Sequence, residues 1–330
     1  MKLRPKQILG AVLILSAVII SLIFLQNKNR IREPSTLSIN YIENKFKLFF
    51  KIQDSDHKDF KSFLNNLTLD ENLSGRNIIF ELDSTSSARF AFQTPAKAEI
   101  DVNPKKLGLT GTISQKFTNS SPITKQIKIP QSAEFAIFFA DLKSLAFSRM
   151  HIDDETEQLL TQSFKPSPGN YFISFNSGDD FALFFESETD IENVNKLPTE
   201  AISQSVMQED PPTKIYQMKF PTNDPEKLEV TPVLFENQDF KVFASSLQAG
   251  NNIINAQETF AFPQDDKPYN LNVYFEPKEG FSAQKFSAFL TNGGIYNETA
   301  SEKLTDSISK IKSFTFTLKG TAFSALINLK

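Results

Sequence analysis

The chain has no cysteine and no tryptophan, only four methionines, and just two histidines among its 330 residues. Without cysteine there is no disulfide framework, no thiolate metal site, no redox pair and no cysteine nucleophile. The compartment stays open, because a chain can live outside the cell without disulfides. With only His57 and His151 available, a site built on clustered imidazoles has almost no material. The phosphate-cradling G-x-x-x-x-G-K-[ST] loop, the G-x-G-x-x-G turn and the G-x-S-x-G elbow are all missing, and with them the common nucleotide-binding and hydrolase signatures.

Phenylalanine is abundant instead, at 33 residues, within an apolar share of 40% and a charged share of 22% that suit a folded chain rather than a disordered one. The phenylalanines either fill an interior, as a compositional habit, or line a space for an apolar ligand.

Residues 8–25, ILGAVLILSAVIISLIFL, form an uncharged run that as a helix would span about 27 Å, close to the hydrocarbon thickness of about 30 Å. A cleavable signal peptide has a shorter apolar core and a small-residue cleavage site, whereas this run passes directly into QNKNRIR. An uncleaved signal anchor is therefore expected. Lys2, Arg4 and Lys6 before the run nearly balance Lys28, Arg30 and Arg32 after it, so flanking charge alone does not orient the span. A long domain behind a first apolar segment is commonly translocated, which predicts a single-pass membrane protein with its N-terminus cytoplasmic and its C-terminal domain extracytoplasmic. The first 33 residues hold six of the 35 basic and one of the 39 acidic side chains, leaving residues 34–330 at net −9. That balance predicts no nucleic-acid partner and no electrostatic docking on anionic lipid.

Breaks rich in proline and small polar residues at 118–132 and 262–270 divide the rest. The expected organisation is 1–33 tail, span and tether, then α+β units at 34–127, 128–265 and 266–330. The first and last share a pattern: FFKIQDSDHKDFKSFLNN (49–66) aligns without a gap on FEPKEGFSAQKFSAFLTN (275–292), pairing Phe60 with Phe286, Phe63 with Phe289 and Asn66 with Asn292. Phe60, Phe63, Leu64 and Leu67 share one helical face behind Asp and Ser capping candidates, so each stretch reads as a strand followed by an amphipathic helix. Hairpins are expected at 97–114, turning at Asn103-Pro104, at 231–246, and at 313–329, turning at Lys319-Gly320. The middle unit supplies AEFAIFFADL as a strand, a helical region at 142–164, and a hairpin at 172–186.

That last hairpin, FISFNSGDDFALFFE, sets Asp179 and Asp180 beside a glycine. They read as the tip of a turn, with Ile173 and Phe175 facing Phe181, Leu183 and Phe185 on the buried side; the competing reading is a carboxylate site. S-x-x-K occurs at Ser55–Lys58 and Ser307–Lys310, but without the companion motifs of a serine acyl-transferase. HIDDETEQ at 151–158 gathers acids without the ligand alternation or turn glycine of a calcium loop, and reads as a helix start. His57 reads as exposed helix surface. No catalytic, cofactor-binding or metal-ligating residue is assigned.

One N-terminal helix, then units joining a strand such as IPQSAEFAIFFADLKSL to a hairpin such as YFISFNSGDDFALFFESET, resembles uncharacterised bacterial envelope proteins with a single anchor and tandem α+β units. The resemblance covers 128–260 best and implies no catalytic positions. The expected fold class is α+β: predominantly antiparallel sheets with a few packed helices, in repeated strand-helix-hairpin units behind one transmembrane helix. The expected function is non-enzymatic interaction or scaffolding in the cell envelope, with the membrane and an envelope protein as partners. Two alternatives stand beside it: a binder of lipid or another apolar ligand in a Phe-lined cavity, and a carboxylate-dependent hydrolase.

Overall fold

The structure is a computed structural model, which describes residues 33–42, 45–67, 76–83, 95–114, 127–138, 171–186, 202–206, 213–218, 232–236, 240–256, 258–262, 271–292 and 301–330. Among these no helix is long and apolar enough to cross a membrane; the expected span at 8–25, the helical region at 142–164 and HIDDETEQ all lie outside them. Ser35–Lys330 forms one compact unit.

The first expected range supplies β1 (Ser35–Ile42), β2 (Lys45–Lys51), α1 (Asp54–Asn66), β3 (Asn77–Asp83), β4 (Ala96–Asn103) and β5 (Lys106–Ile113). The second supplies β6 (Ile127–Pro130), β7 (Phe135–Phe138), β8 (Tyr171–Phe175), β9 (Asp180–Glu186), β10 (Ile202–Val206), β11 (Lys214–Met218), β12 (Val233–Glu236), β13 (Phe240–Ala244), α2 (Leu247–Ile254) and β14 (Thr259–Phe262). The third supplies β15 (Leu271–Phe275), α3 (Ala283–Asn292), α4 (Ser301–Lys310), β16 (Ile311–Lys319) and β17 (Ala322–Leu329). The architecture is α+β, mostly antiparallel sheet with a few helices.

Fifteen strands join one sheet in the order β10-β11-β12-β13-β9-β8-β7-β15-β16-β17-β5-β4-β1-β2-β3. Each expected range contributes a contiguous block, and the C-terminal block lies between the other two. It is held by β15 against β7 on one side and by β17 against β5 on the other, both antiparallel. β6 and β14 pair separately as a two-stranded ribbon. The proline-containing stretch 118–132, read above as a break, thus contains a strand, Ile127–Pro130, with Pro130 at the strand's last position.

Register explains where the core lies. Leu234, Phe243, Leu183, Phe172, Ile137 and Val273 stand directly opposite one another across successive strands, so one apolar row crosses half the sheet on a single face. α1, α3 and α4 cover this face, where Phe60, Phe63, Phe286, Phe289 and Ile308 join the same core. Each phenylalanine buried there contributes about 1.5–3 kcal/mol. On the opposite face, β4 alternates buried and exposed side chains, as a strand with one wet side does. β8 is buried at every position, because the β6–β14 ribbon and α2 cover the second face of that block.

The hairpins at 97–114, 231–246 and 313–329 form with the expected arms. The helices matched by sequence also agree: α1 ends at Asn66 and α3 at the aligned Asn292, with the paired phenylalanines buried in both. Two local readings are corrected. The N-cap of α1 is Gln53, with no side-chain capping bond; its own N–H donates to Ser35 Oγ of β1 at 2.9 Å, so the helix start is anchored to a neighbouring strand rather than capped by the Asp and Ser candidates. In the 172–186 hairpin, Phe172 and Ser174 face Leu183 and Phe181, while Ile173 faces Ala182 and Phe175 faces Asp180. The pairing is displaced by one position from the expected one, which sends Ile173 and Phe175 to the opposite face. A strand buried on both sides carries no alternation by which to read its register.

Candidate functional site: an apolar cavity and its latch

β15 reads LNVYF, so Leu271, Val273 and Phe275 point to the helix-covered face. Phe135 and Ile137 of β7 flank them on one side, Phe314 and Phe316 of β16 on the other. Phe286 and Leu290 of α3 and Ile308 of α4 lie above. These side chains and Ile311 enclose a cavity of about 380 Å³, and no polar side chain lines it. Val273, Leu290, Ile311, Phe314 and Phe316 are only half-buried despite their place over a sheet core, so the cavity opens to the surface. Its volume falls within the range of about 300–1,000 Å³ usual for small-molecule sites.

One end is closed by rings. Phe286 stacks on Phe275 at 4.9 Å between centroids, Phe135 meets Phe286 edge-on at 5.7 Å, and Phe281 packs against both Phe275 and Phe286. Beyond these rings stands a polar cluster centred on Glu134, the residue before β7. Its backbone N–H donates to Ser174 O at 3.0 Å, and its carbonyl accepts from Glu276 N at 2.8 Å. Its side chain is 3% exposed and accepts a short hydrogen bond from the Ser177 N–H. Burial pushes this carboxyl above its ordinary pKa, against the lowering effects of the Ser177 N–H and of Lys278; Asp179 adds to the rise.

Ser177 belongs to the β8–β9 turn, where Asn176, Ser177 and Gly178 all take positive φ, at 50°, 58° and 95°. Gly178 is required there twice over, since a Cβ would also lie 2.5 Å from the Phe289 ring of α3. Ser177 Oγ accepts from Ser282 N at 2.7 Å, and Ser282 caps α3, its Oγ accepting from Lys285 N at 3.3 Å. Lys285 in turn pairs with Asp179 at 2.5 Å. Alongside, the Tyr274 hydroxyl donates to Glu276 at 2.5 Å, and Lys278 lies 3.2 Å from both. That hydroxyl holds Glu276 below the usual carboxylate range, while burial raises the tyrosine itself.

The other sequence candidates do not assemble into a site. Asp179 sits at the turn tip in its ion pair, while Asp180 opens β9 and accepts from Asn176 and Ser246. Ser55 donates to Asp56, and Ser307 Oγ donates to Leu67 O at 3.0 Å, so neither S-x-x-K serine faces a base. His57 is half-buried on α1 rather than exposed. Among the described residues Glu134 is the only buried carboxylate, and no group of three or more His, Asp or Glu side chains is placed to hold a metal ion. Sequence reading did not single out Glu134. Its one signal was an acid immediately before an apolar strand, which is a common arrangement.

The chain matches no protein-family model and no curated protein.

Proposed function

We propose that this protein is a membrane-anchored, extracytoplasmic, non-enzymatic binding module that takes a single hydrocarbon chain of a lipid into the space between its sheet and helices α3 and α4. The cavity carries this reading. A wall without polar side chains gives a hydrogen-bonding ligand nothing in return for its lost water, whereas each buried methylene contributes about 0.8 kcal/mol. Some ten methylenes would supply about 8 kcal/mol before the cost of association, which corresponds to micromolar affinity or weaker. The span expected at 8–25 would keep the domain beside a source of such chains. In this reading the repeated strand-helix pattern serves to place α3 over the sheet as α1 is placed.

The hydrolase alternative finds one buried carboxylate, Glu134, already engaged with backbone N–H, and no second buried acid among the described residues to complete the pair a glycosidase uses. Scaffolding through protein contact is the reading that stands if the cavity holds nothing.

Residues 34–330, purified without detergent, should carry lipid detectable by mass spectrometry after denaturation, and should take up a fluorescent fatty-acyl probe. Val273→Phe or Leu290→Phe should narrow the space and abolish uptake while the fold melts cooperatively. Absence of lipid, with no probe uptake by either the parent or the variants, would turn the assignment to scaffolding.

A further inference from the structure

We infer that the acyl chain taken up over β15 leaves the cavity sideways and lies along the sheet across β17, β5 and β4, so that the site selects chains as long as those of membrane lipids and holds them by the methyl end. The inference rests on the cavity being a ligand site, and adds the length and direction of the ligand.

The two flanks of the cavity differ. On β7, Phe135 and Ile137 are buried, whereas on β16 Ile311, Phe314 and Phe316 are all half-buried. The opening therefore lies toward β17. Beyond β16 the register carries the same face onward. Val273 and Phe316 stand in line with Ala325, Leu109 and Ile100. Phe275 and Phe314 stand in line with Ile327, Leu107 and Val102. No polar residue interrupts either row, although the opposite face of the same strands sets Thr317, Ser324, Thr110 and Glu99 side by side. Ile327, Leu109 and Val102 pack against the main core, yet they and Ala325 are only half-buried. α1 and α4 touch where Ser307 Oγ donates to Leu67 O, without closing over this strip.

Length follows from strand spacing. From β7 to β16 is two spacings, about 10 Å, and along the strands the Phe135, Phe275 and Phe286 rings close one end. Half the hydrocarbon core of a bilayer is about 15 Å, which is the reach of one chain of a membrane lipid. Such a chain overruns the cavity across the strands, and the three further spacings to β4 add about 14 Å of apolar surface in the direction of the opening. Since no polar side chain lines the cavity, the methyl end sits inside and the polar end emerges over β17 and β5.

Photolabelling of the full chain in phosphatidylcholine vesicles tests both length and direction. Two hexadecanoic acid probes carry a diazirine, one at the terminal carbon and one near the carboxyl group, and peptide mass spectrometry locates the adducts. The terminal probe should label 271–292 and 311–318, and the other should label 322–329 or 106–113. Ala325→Glu places a charge on the strip outside the cavity. It should cut labelling of 271–292 by the terminal hexadecanoic probe by on the order of tenfold or more, as several methylenes lose their apolar surface. A decanoic acid probe, short enough to stay within the cavity, should label the variant as it labels the parent. Should Ala325→Glu fail to fold, Leu109→Gln on the next strand takes its place, and the adduct map of the parent decides in either case.

Adducts of both hexadecanoic probes confined to 271–292 and 311–318 would overturn the extended path and leave the cavity as a site for a short chain. Equal loss of decanoic and hexadecanoic labelling in the variant would do the same. Terminal adducts on 322–329 with carboxyl-end adducts in the cavity would overturn the direction. No specific adduct in either region, with any probe, would remove the ligand reading itself and the path with it.

Discussion

The Glu134 carboxyl lies 3% exposed between β7 and the β8–β9 turn, and burial raises its pKa from the ordinary value of 4.5. A raised folded-state pKa means that the folded chain holds its proton more tightly than the unfolded one. The contribution to stability is then fully present below about pH 4.5 and is lost as pH rises through the shifted value. The ionised form is not abandoned, since the Ser177 N–H and Lys278 both favour it, with Asp179 opposed. Glu276 behaves in the opposite sense. The Tyr274 hydroxyl lowers its pKa, so its contribution is present at neutral pH and lost as pH falls through the folded value. Two substitutions separate these windows. Relative to the parent, Glu134→Gln should gain thermal stability progressively as pH is raised from 4.5, while Tyr274→Phe should lose its disadvantage only as the solution is acidified. Melting curves for Glu134→Gln that run parallel to the parent from pH 4.5 to 8 would show that this carboxyl feels no net burial penalty.

Helices show what sequence periodicity reaches and where it stops. The i, i+3, i+4 spacing of Phe60, Phe63 and Leu64 and of Phe286, Phe289 and Leu290 fixed both helices and their inward faces, because a helix facing a sheet can bury only one stripe. The caps were less accessible. Gln53 is satisfied by Ser35 from another strand, a contact with no local signature. The cavity was hidden for a related reason: Val273 and Phe316 have the composition of core residues, and only the spacing of α3 and α4 above them leaves a space. α2 illustrates the same limit with a sign that can be measured. By propensity, Gly250→Ala in a helix interior should stabilise by about 1 kcal/mol. A Cβ there would lie 1.9 Å from the Phe235 ring, which is fully buried and has nowhere to move. Overpacking of this kind costs about 1–3 kcal/mol and exceeds the propensity gain. Gly250→Ala should therefore lower stability in denaturant titration by up to about 2 kcal/mol, and a stabilised variant would place α2 farther from β12 than the structure has it.

At the scale of the molecule, Ser35–Lys330 is one compact unit, and the proline-rich breaks by which the sequence was divided carry no information on the order of its strands. Hairpin logic joins strands to their chain neighbours. The pairings of β7 with β15 and of β17 with β5 join strands far apart in sequence, and nothing in FAIF or LNVYF specifies the partner. The consequence is testable, because the C-terminal block is the described link between the other two. Deleting residues 266–330 would strip a neighbour from the short β7 and from the eight-residue β5 and expose two unpaired ladder edges of the kind that drive edge-to-edge association. It would also remove Phe275, Phe286 and Phe289 from the shared core, each worth about 1.5–3 kcal/mol, a loss comparable to the whole stability of an ordinary domain. The truncated chain should aggregate or expose hydrophobic surface to a dye such as ANS. By contrast, cutting the intact protein once within 115–126, between β5 and β6, should leave the two fragments associated in native gels, since β17–β5 remains paired across the cut. If residues 128–265 alone were monomeric, soluble and cooperative in unfolding, each block would close its own core, and the continuous sheet would be an assembly of independent domains rather than the unit that folds.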